Sequence, residues 1–421
     1  MAKRILFATF GSLGDVFPYI GIARALLRRG HRPVIATTDM HRDAIEAEGI
    51  EYAPMRPGAA EFGDFSGVAK KLFHPIRGPE FLIGTLVLPY LRQAYEDLKH
   101  AASDADLVVS HPITVTLPMV AEKLGRPWVS TVLSPLSLFS AVDPPVFAPL
   151  PWLRALRHLG PGPYRAVFSL IKTAGRQWEH EIAGLRSELG LASPRGPAFF
   201  EGQYSPMFNL ALFSRLLAEP ASDWPANTRT SGFPLYDGKP LDQATAERLS
   251  HFMQAGDPPL AFVLGSSAVM IAGHFWEEAI EASRALGRRA ILITGRDQPL
   301  PDLGNRDDIA VFPYLPYSLV FPYAAAVVHQ AGIGTLSQAL AARRPQLIVP
   351  VAFDQPDNAA RSKRLGVARV LPFRRVTAPR LAGELEYLLE DRTLAERAAH
   401  TGAQVFEEHG ATAAADALLE L

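Results

Sequence analysis

Two stretches of this 421-residue chain hold residues whose types and spacing could do chemistry. The denser is Val327-Val328-His329-Gln330-Ala331-Gly332-Ile333-Gly334-Thr335, an apolar run feeding a glycine-bearing loop and then a helical pattern. The first-turn amides of such a helix lack internal partners and carry the positive end of its dipole. They suit a diphosphate without a metal. Gly332 and Gly334 would let a phosphate approach the backbone, and Thr335 adds a hydroxyl. A lone Gly-x-Gly is more often only a tight turn. The following unit tips the balance. Leu347-Ile348-Val349-Pro350 ends at Asp354-Gln355, and Asp357-Asn358 open a helical segment reaching Leu365-Gly366. Ligands bind beyond the carboxyl ends of parallel strands, so both loops should face one crevice. There Asp354 and Gln355 can accept and donate hydrogen bonds to adjacent sugar hydroxyls. Singly, each would serve as a helix cap or surface residue; together they point to a sugar nucleotide.

The second stretch is Gly11-Ser12-Leu13-Gly14-Asp15, in the first strand-to-helix turn. Asp15 there is either a reacting carboxylate or an N-terminal cap for the helix that follows. His111, after the apolar run Leu107–Ser110, could line a small-molecule site, although a histidine before a proline is more often structural. Phe62, Phe65, Phe73, Phe81, Leu82, Phe139 and Trp152 fall in one irregular region and could wall an apolar pocket. Ordinary core packing explains any one of them equally well. No His-Glu-x-x-His or comparable spacing supports a protein-bound metal.

The elements that must position these residues repeat one rhythm. Ile5–Phe10 reads as a strand buried on both faces. A helix is expected to open at Pro18, with Ile20, Ala23, Leu26 and Leu27 on one side, and to stop at Gly30 before a strand at Val34–Thr38. Strand–helix–strand units make parallel sheets. The rhythm restarts with strands at Leu260–Leu264, Ala290–Thr294, Ala325–His329 and Gln346–Val351, with helices at His274–Leu286 and Thr335–Ala342. Trp224 to Pro240, rich in proline and glycine, reads as a linker. The α/β class follows, with two Rossmann-like domains at 1–238 and 239–421, an irregular insertion from Phe62 to about Phe200, and a helical tail after Ala378.

Composition narrows the partners. A formal net charge of −1 and no long basic stripe leave no footprint for nucleic acid. With no cysteine there is no disulfide, thiolate metal site or cysteine nucleophile, which suits a reducing compartment. The N-terminal apolar run is short and lacks a small-residue cleavage site, and Phe81–Leu91 is too short to span a bilayer. A cytoplasmic enzyme is expected, with no integral membrane span and peripheral contact with a membrane left open.

The run H-Q-A-G-I-G-T-L-S-Q-A-L followed by V-P-V-A-F-D-Q-P-D-N-A-A-R resembles the donor signature of the family 1 GT-B glycosyltransferases. Their bacterial members include sterol-glucosyltransferase-like enzymes and the rhamnolipid rhamnosyltransferase. G-S-L-G-D-V-F-P-Y-I and D-W-P…S-G-F-P-L-Y-D-G extend the resemblance over both domains. It implies two domains facing across a cleft, with the C-terminal helices packing back on the first. It also implies an inverting transfer of a hexose, glucose or rhamnose, from a UDP- or dTDP-sugar co-substrate to a hydroxyl of a hydrophobic small molecule or lipid, with no further cofactor. By this likeness Gly334 and Thr335 would cap the diphosphate, with Ser266 and Ser267 approaching from the opposite loop. Asp354 and Gln355 would hold the sugar, and Tyr314 and Tyr317 would flank the nucleobase. His329, Gln330, Gly332 and Gln338 complete the donor set. Relatives commonly carry histidine where Gln330 stands and glutamate where Gln338 stands, so the nucleobase stays open. Asp15 takes the place of the base, and Gly14, His111, Phe62, Phe81 and Phe139 fall to the acceptor.

Rival readings remain at this point. Gly332-Ile333-Gly334 after a strand, with Asp354 near the end of the next, imitates an NAD-dependent oxidoreductase, although Ser337 stands at the third glycine position. A GT-B-fold sugar-nucleotide 2-epimerase or a non-catalytic binder would share the fold.

Overall fold

The computed structural model describes the chain except for residues 1, 64, 75, 296–302, 304 and 305, and except for the side chains of 65 and 66. Phe65 of the aromatic group therefore lies outside the described residues. The chain divides into two compact units, Met1–Tyr236 with His409–Leu421, and Asp237–Glu408.

The first unit is built on seven strands: β1 (Arg4–Ala8), β2 (Arg32–Thr37), β3 (Glu51–Pro54), β4 (Leu107–Ser110), β5 (Trp128–Val132), β6 (Phe208–Ala211) and β7 (Thr228–Thr230). They pair in parallel in the order β3-β2-β1-β4-β5-β6-β7. Every residue of β1 and β4 is buried, as expected of apolar runs covered on both faces. The first helix runs from Leu13 to Leu27, opening five residues before the expected Pro18. The cause is a capping box. The Gly14 N–H donates to Ser12 Oγ (3.3 Å) and the Ser12 N–H to Asp15 Oδ2 (2.8 Å), which satisfies first-turn donors. Pro18 sits inside the helix and removes one backbone bond there. The irregular stretch resolves into helical excursions between β3 and β4 and between β5 and β6, and the linker region contains β7.

The second unit carries β8 (Leu260–Val263), β9 (Ala290–Ile293), β10 (Ile309–Phe312), β11 (Ala326–His329), β12 (Gln346–Ile348) and β13 (Ala368–Val370), all parallel, in the order β10-β9-β8-β11-β12-β13. Its core joins Ala261, Ile291 and Val327 from the sheet to Leu249, Phe252 and Phe321. Of the C-terminal helices, Ala378–Glu390 and Arg392–Glu407 belong to this unit. Only the last, Gly410–Leu419, returns to the first unit, where Asp416 pairs with Arg29 (2.6 Å). Gly410 is required there, because a side chain would run into the backbone of Gly232 and Phe233.

Each sheet reverses its strand order once, between β1 and β4 in the first unit and between β8 and β11 in the second. At such a point neighbouring loops diverge and open a crevice at the carboxyl edge. The two stretches singled out from sequence follow β1 and β11.

Candidate functional site

In the second unit three loops at the carboxyl edge each carry a residue in the left-handed region. Gly265 after β8 has φ +69°, Ala331 after β11 has φ +66°, and Phe353 after β12 has φ +56°. For alanine and phenylalanine this conformation costs about 1–3 kcal/mol, strain of the kind that gathers at ligand-binding loops. Gly332 caps the helix Ile333–Ala341 without a side-chain bond, so its first-turn amides face outward uncapped.

Gln330 fills the space between these loops. Its Nε2–H donates to Thr335 Oγ1 (3.3 Å), and that hydroxyl is also hydrogen-bonded to Tyr317. A Cβ built on Gly265 would collide with this amide and one on Gly332 would lie 3.0 Å from its nitrogen, so Gly265 is needed for Gln330 to lie where it does and Gly332 gives it room. Gln330 is 5% exposed, yet its Oε1 is buried with no hydrogen-bond partner. A buried, unsatisfied polar atom costs about 1–3 kcal/mol. Because the two ends of an amide exchange by rotation, Gln330 can instead present N–H groups to an anion while its oxygen accepts from Thr335.

His329 behaves otherwise. It is completely buried, its Nδ1 accepts the Ala331 N–H (3.1 Å), and its Nε2–H donates to Gln346 Oε1 (3.0 Å). Burial depresses its pKa to about 4, so the ring is neutral and holds the strained Ala331. This corrects the expectation that His329 touches the donor directly. Gln355 is also turned inward, its Oε1 accepting the Val351 N–H (2.9 Å) and Ala352 N–H (3.2 Å), which leaves its amide nitrogen as the group for a ligand. Asp354 opens the helix Gln355–Leu365 and accepts from Asn358 Nδ2 (2.8 Å). The same Nδ2 donates to Ala331 O (3.0 Å), so fully buried Asn358 ties the β11 loop to the β12 loop. Sequence reasoning passed over this strut; its signal is the i, i+4 spacing from Asp354. Ser266 and Ser267 occupy a single helical turn after β8, the first exposed and the second half-buried. Tyr317 stacks on Phe321 at 4.5 Å, Tyr314 donates to Asp237 O (3.1 Å), and Gln338 is half-buried on the helix after Gly334.

In the first unit Asp15 and His111 meet at the switch point. Asp15 Oδ2 is held by the Ser12 amide and by Ser12 Oγ (3.1 Å), while Oδ1 faces His111 Nε2 at 3.5 Å. The Ile113 N–H donates to His111 Nδ1 (3.2 Å), so the ring proton sits on Nε2 and points at Asp15. His111 is 5% exposed and the Asp15 side chain 33%, leaving the carboxylate in reach of solvent or ligand. Gly11, at φ +137°, leaves room for the carboxylate, which a Cβ there would strike. Asp15 is thus a cap through one oxygen and available through the other.

The aromatic residues do not form one pocket. Phe62, Phe81 and Leu82 pack on the sheet core, where Phe62 stacks on Phe10 at 6.0 Å, and Phe73 is buried. Phe139 belongs to a separate cluster with Tyr164 and Phe168, and meets Phe200 at 5.0 Å. A cavity of about 330 Å³ opens there, lined by Phe139, Arg165, Phe168, Phe200, Tyr204 and Asp223. Trp152 is exposed.

Comparison with known proteins agrees with this arrangement. Residues 5–135 match the glycosyltransferase family 28 N-terminal domain, and residues 289–421 match the erythromycin biosynthesis protein CIII-like C-terminal domain. The chain is 30% identical to the O-mycaminosyltylonolide 6-deoxyallosyltransferase of Streptomyces fradiae, over 97% of this chain and 94% of that one. It is 25% identical to the sterol 3-beta-glucosyltransferase UGT80A2 of Arabidopsis thaliana, over 98% of this chain and 64% of that one. Among solved structures, the glycosyltransferase VinC in complex with dTDP superposes with a TM-score of 0.68 at 21% identity, over 99% of this chain and 98% of that one. These relatives displace the oxidoreductase reading of Gly332-Ile333-Gly334. With two parallel sheets, a switch-point loop in each, and that identity along nearly its whole length, the chain belongs to the family 1 GT-B glycosyltransferases.

Proposed function

We propose that this glycosyltransferase moves a hexose, glucose or rhamnose, from a UDP- or dTDP-sugar to a hydroxyl of a hydrophobic small molecule or lipid, in one inverting displacement. The observation that carries the donor half is the cradle of Gly265, Gln330, Gly332 and Thr335, which holds an orphaned buried amide oxygen beside uncapped helix amides. A diphosphate placed there receives N–H groups from the first helical turn and from the rotated Gln330 amide. Asp354 and the Gln355 amide nitrogen are the sugar-binding groups. The dTDP held by VinC supports a nucleoside-diphosphate sugar as donor.

In the proposed step the acceptor hydroxyl oxygen attacks the anomeric carbon. Its proton passes to Asp15 Oδ1, the bond from that carbon to the diphosphate breaks, and its electron pair leaves with the nucleotide. The amides of Ile333, Gly334 and Thr335 stabilise the charge that develops there. His111 is a positioning residue, its Nε2–H aimed at Oδ1 and its tautomer set by Ile113. Relatives named for transfer to a sterol and to O-mycaminosyltylonolide support an apolar acceptor. The aromatic cavity at Phe139 is its candidate pocket, in preference to Phe62 and Phe81. The test is NMR of the product from an α-linked donor with a sterol or phenolic acceptor. A β-linked product is expected; retained α configuration rejects the single displacement.

A further inference from the structure

Residues 144–178 contain no aspartate or glutamate but hold Arg154, Arg157, Arg165, Lys172 and Arg176, in a chain whose net charge is −1. This stretch folds as a 3-10 segment, Pro151–Leu159, and a helix, Gly162–Ala174. They are fastened together from inside. Leu153, Tyr164 and Phe168 are buried in one cluster, and the Tyr164 hydroxyl donates to Leu153 O (2.8 Å). The exposed positions of the segment are unusually apolar. Trp152 is 63% exposed, Leu159 69% and Leu170 71%. Single exposed apolar residues need no explanation, but large ones set among unopposed cations mark an interaction surface.

The charges point to the partner. Arg157 is paired with Asp143, and Lys172 with Glu201. Arg154, Arg165 and Arg176 are exposed and have no ion pair among the described residues. Arg165 and Lys172, seven residues apart, share one side of the helix Gly162–Ala174, beside the face of Ala166, Leu170 and Thr173, and Arg176 opens the next helix, Arg176–Glu188. Tryptophan and leucine flanked by arginine, on an element too short to cross a bilayer, is the composition of an interfacial segment. Among the described residues no helix is long and apolar enough to span a membrane. A protein partner would need its own acidic, apolar complement; an anionic bilayer supplies phosphate at the surface and hydrocarbon beneath it.

We propose that the 150–176 segment docks this enzyme on anionic lipid surfaces, with Trp152, Leu159 and Leu170 entering the headgroup layer and Arg154, Arg165 and Arg176 meeting lipid phosphates. The helix Gly162–Ala174 also lines the Phe139 cavity through Arg165 and Phe168, so a lipid taken from the surface meets the pocket through the same element. The docking itself does not depend on which acceptor is used.

The test is sedimentation of the full chain with vesicles of phosphatidylcholine alone and with added phosphatidylglycerol. Binding is expected to phosphatidylglycerol vesicles, to weaken with salt, and to be much weaker to phosphatidylcholine. Trp152→Ser with Leu170→Ser is expected to abolish it, and Arg154→Gln and Arg176→Gln each to weaken it about fivefold. These side chains are exposed, so the melting temperature should hold within about 2 °C. Nucleotide binding by the same variants should be unchanged, which separates this proposal from the donor site. Failure of the native chain to bind phosphatidylglycerol vesicles overturns the proposal. So does binding that survives the Trp152→Ser/Leu170→Ser change, or concentration-dependent dimerisation that this change abolishes without any vesicle binding.

Discussion

Replacing Gly265 by alanine perturbs the donor cradle at its tightest point. At φ +69° an L side chain costs about 1–2 kcal/mol in the backbone alone. The new methyl would also lie on the Gln330 amide and 3.3 Å from Thr335 Oγ1, so Gln330 must move and its bond to Thr335 is lost. That bond contributes about 1 kcal/mol, giving a total near 2–3 kcal/mol. For a unit of this size the shift in melting temperature is about 5–10 °C. Displacing Gln330 also removes one charge-assisted contact to the diphosphate, so calorimetric titration with UDP or dTDP should show at least a tenfold weaker Kd. Gly287→Ala is the matched control. Its φ is +59° and a Cβ there meets nothing within 4 Å, so it carries the backbone cost without the collision. It should lower the melting temperature less and leave Kd unchanged. A Gly265→Ala protein that binds nucleotide diphosphate as tightly as the native chain would refute the cradle.

Four further outcomes are expected. Asp15→Asn keeps a carbonyl for the Ser12 amide, so the melting temperature should barely move while kcat falls by about 10²–10⁴; His111→Gln should lower kcat about tenfold at unchanged KM. If Asp15→Asn keeps full activity, the carboxylate is only a cap. The folded pKa of His329, about 4, lies below its unfolded value near 6.5. The neutral ring therefore contributes stability in full above pH 6.5, and the contribution declines as pH falls toward 4, by an amount on the order of 3 kcal/mol. His329→Gln, followed by urea unfolding at pH 7 and pH 5, should flatten part of that decline; an unaltered slope would mean that the ring is not kept neutral. Asp357→Asn removes the carboxylate charge that Arg361 meets at 2.8 Å in a pair whose side chains are 2% and 3% exposed, and should cost about 1–3 kcal/mol in urea unfolding.

Both parallel sheets were legible because strands buried on two faces read as unbroken apolar runs, as in Ile5–Ala8 and Leu260–Val263. The loops after β1, β11 and β12 were legible because glycines and carboxylates gather there. Side-chain direction was not. His329 and Gln330 are neighbours in one motif, yet one turns into the core and the other into the crevice, a distinction set by strand alternation and the turn at Ala331. Pro18 misled because the Ser12–Asp15 capping box outweighs the bond that proline removes. Phe139 and Phe62 fell in one irregular region yet pack in separate clusters, which only the helices between β5 and β6 decide. The bond from Asn358 to Ala331 was not legible, although the i, i+4 spacing from Asp354 was, because it joins loops 27 residues apart.

The most direct measurement is thermal unfolding of the native chain with UDP-glucose, dTDP-rhamnose and NAD in turn. Ligand at 100 times its Kd adds about 2.7 kcal/mol to the folded state. A rise in melting temperature with one or both sugar nucleotides, absent with NAD and reduced in Gly265→Ala, is the result expected here. A rise with NAD and none with either sugar nucleotide would contradict it.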